Sequence, residues 1–155
     1  MKTVYKVLAY LMALEVVVQG ATIAFGVAGL GIWIEEGNSA DSAAFEGIFE
    51  GEVTFTGVAG ILIHGMNGMM VIPALALVLL VVSFFAKVPG GVRAAAVVFL
   101  LVILQVALGL FGHTVAFLGL LHGVNAFLLF GAAGYAARLA NTKTSTPAEE
   151  SYVAA

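Results

Sequence analysis

Four long apolar runs, broken by three polar interruptions, set the frame of this chain. They cover about residues 4–33, 53–86, 94–111 and 115–140. A hydrocarbon layer of about 30 Å takes about 20 apolar residues in a helix, so each run predicts one transmembrane helix. In the first, Glu15, Gln19, Thr22, Gly26 and Gly29 recur at steps of four and three, the seam of a packed helix whose small residues admit a close neighbour. The second carries Gly57, Gly60, His64, Asn67 and Gly68 on its early face, with Pro73 placed to bend it. The third shows Gln105, Gly109 and Gly112 on one face. Residues 35–53 form an acidic connection in which Asp41 to Phe49 predicts a short surface helix, with Phe45, Ile48 and Phe49 against the membrane. Residues 87–93 predict a tight basic turn, residues 112–114 a short one, and residues 143–155 a disordered tail.

Composition turns this pattern into a class. The chain is 62% hydrophobic and 10% charged, with a mean hydropathy of +1.11. No soluble domain of 155 residues hides that much apolar surface. The fold class expected is all-α, an integral membrane four-helix bundle in contact with a lipid bilayer. Cysteine is absent, which excludes disulfides, iron–sulfur clusters and zinc–thiolate sites. The start is not read as a cleaved signal, because Glu15 interrupts the apolar stretch and apolar sequence continues to Ile34.

Charge gives orientation. Lys2, Lys6, Lys87, Arg93, Arg138 and Lys143 all fall on one side of the four runs, while Glu35, Glu36, Asp41, Glu46, Glu50 and Glu52 fall on the other. Positive-inside bias places both termini in the cytoplasm, in a bacterial plasma membrane. Nucleic acid is not an expected partner.

The candidate chemistry lies in a repeated motif. His64-Gly65-Met-Asn67 in the second run returns as His122-Gly123-Val-Asn125 in the fourth. Strongly polar groups in an apolar run are costly and mark a site by default. At about 1.5 Å per residue, each histidine lies roughly 10 Å inside the outer boundary. Gln105 and Gln19 reach a similar level, so one polar layer draws on all four helices. The second and fourth helices run the same way, as a pseudo-two-fold axis along the membrane normal requires. Imidazole is a proper axial ligand for heme iron, and facing helices of a bundle hold such cofactors. The expected site therefore has His64 and His122 on one b-type heme, Gly65 and Gly123 leaving room for the ring, and Asn67 and Asn125 orienting the imidazoles or meeting the porphyrin edge. The competing reading for these amides is hydrogen bonding between helices. Copper or another divalent ion is an alternative with no third strong ligand in view. His113 is a solvated turn histidine or a partner for a heme propionate. Glu15 is expected to bond Gln19, one turn away.

The run Gln105-Val-Ala-Leu-Gly109-Leu-Phe-Gly-His-Thr114-Val115, followed by Leu120-Leu-His122, resembles the third and fourth helices of the four-helix half of heme A synthase. The chain also resembles small bacterial four-helix membrane proteins whose last helix carries Leu-His-x-x-Asn, here Leu121 to Asn125. The likeness spans about residues 4–140. It implies a four-helix bundle and heme ligation by His64 and His122. The chain departs from that family in having one half, no cysteine pair in the outer loop, and Ile61 where an acidic residue precedes the second-helix histidine.

The expected work is electron transfer or heme-linked redox chemistry, alone or within a larger membrane complex with a redox partner, rather than stand-alone catalysis. Two other classes compete: an accessory or scaffold subunit without cofactor, and a quinone- or proton-handling protein using Glu15 and Gln19.

Overall fold

The computed structural model describes residues 1–141; the tail expected to be disordered lies outside the described residues. Helices dominate, with no strand among the described residues. They are α1 (Lys2–Glu35), α2 (Ser42–Glu50), α3 (Val58–Met66), α4 (Ile72–Ser83), α5 (Gly91–Gly112) and α6 (Ala116–Leu139). Among the described residues four spans are long and apolar enough to cross a membrane: α1, the run Val58–Ser83, α5 and α6. The chain is thus a membrane-type helical bundle, and its large exposed side chains, such as Phe127 and Leu100, are apolar as lipid contact requires.

The second span is not one continuous α-helix. A π-helical turn over Asn67–Val71 joins α3 to α4, closed by Ile72 N–H donating to the Asn67 carbonyl. Pro73 sits in the first turn of α4 and supplies no N–H, so the residues before it are released from the regular ladder. Pro73 was expected to bend this helix; the observed form of that distortion is a wider turn placed just before the proline. The α-helix also stops at Ser83 rather than Ala86, because the N–H groups of Phe84, Phe85 and Ala86 donate to carbonyls three residues back, and Lys87 then turns into a left-handed backbone (φ 52°). The helix expected from residue 94 begins at Gly91, inside the basic turn.

The short acidic-loop helix forms as α2. Asp41 caps it, its Oδ1 accepting from the Ala44 N–H at 2.9 Å. The expected outward triad does not hold: Ile48 is buried, while Phe45 and Phe49 are exposed. α2 lies against α3, and its buried residues are Ala44, Gly47 and Ile48.

The helices close on one another differently at the two ends. At the end carrying Lys2, Lys6, Lys87, Arg93 and Arg138, small and aliphatic side chains from all four spans form the core. Ala9, Ala76, Ala95, Ala133, Ala136 and Ala137 are fully buried there around Tyr5, Met12, Leu79 and Leu129. The Tyr5 hydroxyl donates to the Gly91 carbonyl at 3.0 Å, tying the start of α1 to the start of α5. At the opposite end close glycine contacts form two pairs, α1 with α3 and α5 with α6.

Candidate functional site

Glycine seams build each pair at the acidic end. Gly26 faces Gly60 and Ile61, and Gly29 faces Thr56 and Gly57. A Cβ at Gly29 would strike the Thr56 carbonyl, and one at Gly60 the Thr22 carbonyl. The backbones of α1 and α3 therefore touch at a spacing only glycine permits. In the other pair, Gly112 faces Gly119, and a Cβ there would lie 3.2 Å from its Cα. The small-residue seams read from sequence are the surfaces that meet.

One turn deeper, each seam gives way to polar side chains. His64 Nδ1 lies 3.2 Å from the Gln19 carbonyl. His122 Nδ1 lies 3.0 Å from the Gln105 carbonyl. A carbonyl oxygen only accepts, so Nδ1 carries the proton in each neutral ring and Nε2 keeps its lone pair. The two imidazoles approach edge to face, with ring centres 6.1 Å apart and planes at 65°. Between the helix pairs lies a cavity of about 390 Å³, lined from all four spans. His64, His122, Gln19, Gln105, Gly65, Gly123 and His113 border it. A volume of this order is within the range of small-molecule and cofactor sites, roughly 300–1,000 Å³.

Asn67 and Asn125 do not line the cavity. Asn67 Nδ2 donates to Glu15 Oε2 at 2.7 Å. Asn125 Nδ2 donates to the Leu101 carbonyl at 2.9 Å and to Gln105 Oε1 at 2.6 Å. Both join helices, as their competing reading supposed, and the imidazoles are oriented by backbone carbonyls of α1 and α5 instead. The expected Glu15–Gln19 bond is replaced by Glu15–Asn67, since a partner across the helix interface reaches the carboxylate. Gln105 Nε2 donates to the His122 carbonyl at 3.0 Å. Gln19 Nε2, by contrast, is buried and has no hydrogen-bond partner.

A repeat longer than the histidine motif now becomes visible. Gln19 is followed by Phe25-Gly26, and Gln105 by Phe111-Gly112, at the same spacing. Each glutamine carbonyl holds one histidine. Each asparagine reaches the residue four positions before that glutamine, Glu15 in one unit and Leu101 in the other. The molecule is thus built from two two-helix units that repeat each other's contacts. Comparing the first and third runs at a shift of 86 residues was the signal that could have found this.

Among the described residues no group of three or more His, Cys, Asp or Glu side chains is placed to hold a metal ion. Two imidazoles alone suit an ion that brings further ligands with it. No protein-family model matches the chain, and no curated protein or solved structure does either.

Proposed function

We propose that this chain is a membrane heme protein in which His64 and His122 ligate one b-type heme, and that it works in electron transfer or heme-linked redox chemistry, alone or as a subunit of a larger complex. The observation that carries the reading is the imidazole pair facing one cavity, each ring anchored through Nδ1 to a backbone carbonyl. Metal-ligating histidines usually hold the other ring nitrogen in this way, which fixes tautomer and orientation. The ring centres lie 6.1 Å apart, near enough that both imidazoles would hold the same group.

When bound, heme supplies one-electron chemistry at a potential set by its axial ligands and surroundings. The chain's own contribution is structural. The Gln19 and Gln105 carbonyls aim the imidazoles, and the walls of the cavity are largely apolar. His64 and His122 would both hold the iron, and the chemistry supplied there would be electron transfer.

The basic residues at one end of the bundle support an orientation with both termini in the cytoplasm of a bacterium and the acidic connection outside. Reporter fusions at the C-terminus and in residues 35–53 test this; a C-terminal reporter active only outside would overturn it. The scaffold reading draws on the interhelical bonds of Asn67, Asn125 and Gln105. Colour separates the two. Protein purified from heme-replete cells should show a Soret band, split reduced α and β bands, and a pyridine hemochrome of heme b. Colourless protein would favour the scaffold.

A further inference from the structure

Away from the histidine layer, the basic end of the bundle carries a second concavity. It is a groove of about 300 Å³ on the lipid-facing side, where α5 meets α6. Gly90, Arg93, Ala94 and Val97 form the α5 wall, and Ala132 and Tyr135 form the α6 wall. Small residues make the floor, with Ala94 buried and Ala132 partly buried. The rim is open, since Tyr135 is 60% exposed and Val97 49%. One turn further from the basic end, Leu100 and Leu128 continue the same two helix faces and are exposed as well.

The charge at this groove has no counterpart in the protein. Arg93 is exposed, and among the described residues no acidic side chain stands at its end of the bundle. Glu15 lies in the middle of α1, and the other acids fall between Glu35 and Glu52. No side chain caps the start of α5 and no acid stands in its first turn, so the positive end of that helix adds to the arginine instead of being offset. A guanidinium presents forked donors that match a phosphate, and the Tyr135 hydroxyl is a further donor on the opposite wall. The level suits a headgroup: Arg93 is in the first turn of α5, and Tyr135 is about one turn from the end of α6. A water-borne anion would use only this polar part, whereas the apolar continuation past Val97 suits a ligand that carries a chain.

We propose that the groove binds one anionic phospholipid, with its phosphate between Arg93 and Tyr135 and an acyl chain running past Val97 toward Leu100 and Leu128. In the orientation given above this end meets the cytoplasmic leaflet, where lipids carry negative charge and basic pockets between helices take their headgroups. The inference uses neither histidine and is independent of the heme reading.

Native mass spectrometry of the full-length chain, delipidated in detergent, tests it. The protein is titrated with phosphatidylglycerol and with phosphatidylcholine of the same acyl chains. Wild type should hold one phosphatidylglycerol in preference to phosphatidylcholine. Arg93→Gln should weaken that binding about tenfold and Tyr135→Phe about threefold. Both side chains are exposed, so both variants should fold. Arg138→Gln removes the same charge at the same end but outside the groove, and should leave the affinity unchanged. Equal losses in Arg93→Gln and Arg138→Gln would show diffuse attraction to a basic surface and overturn the site. Equal binding of the two lipids by wild type would overturn it too. Glycerophosphate competing as well as the whole lipid would mark a free-anion site and refute the lipid assignment.

Discussion

The basic end and the acidic end of the bundle are made of the same helices and serve opposite ends. At the basic end, alanines let four backbones close on a dry core in which Leu79, Leu129 and Val98 are almost fully buried. At the acidic end, glycines bring helices still closer, but only within each pair. The space saved inside the pairs reappears between them as the cavity. Small residues therefore do two jobs. Spread over four helices they seal a core, and confined to two seams they open a site. The polar groups follow the division, because the histidines and glutamines that would be costly in the sealed half border the open one.

Substitutions can break this contrast from either side. The largest effect is expected at the seams. Gly29→Leu forces a side chain into the Thr56 carbonyl, so α1 and α3 must part. The variant should lose detergent stability by at least the 1–3 kcal/mol usual for overpacking, and any surviving protein should lose the close ring approach, visible as a weakened Soret band. A stable variant with a wild-type spectrum would show that the seam does not position His64. In the sealed half, Leu79→Ala removes a fully buried side chain. A cost of about 2–5 kcal/mol is expected, read by thermal denaturation, with the spectrum of the folded fraction unchanged. A shifted spectrum would mean that the halves are coupled rather than separate. Tyr5→Phe deletes only the bond to the Gly91 carbonyl. It should cost about 1 kcal/mol and leave the cavity untouched. The smallest effect belongs to His113→Ala, which removes a group at the cavity rim and should keep a low-spin spectrum. A high-spin product would move the iron toward the outer end of α5.

The spans that build both halves were plain in the sequence, and contacts between them were not. Hydropathy alone located four helices, because each must cross a fixed thickness of hydrocarbon. The histidine pair, its common level and the glycine seams were legible because each depends on spacing along one helix. Partners across helices were not. Glu15 was matched to Gln19 on its own helix, yet Asn67 reaches it from the next span. The π turn beginning at Asn67 changes how that span is wound there, and no helical wheel carries such a change. Ile48 fails for the same reason, since which face of α2 meets α3 is decided by the fold and not by the segment. The Gln-x₅-Phe-Gly repeat was present in plain text, but the histidine motif drew the comparison to the second and fourth runs alone.

The central claim is that one iron is held jointly by His64 and His122, and single replacements read by low-temperature electron paramagnetic resonance address it most directly. Ferric wild type should give a low-spin six-coordinate signal. His64→Ala and His122→Ala should each convert it to a high-spin five-coordinate signal or lose heme, and the double variant should bind none. Retention of the unchanged low-spin signal in both single variants would contradict the account.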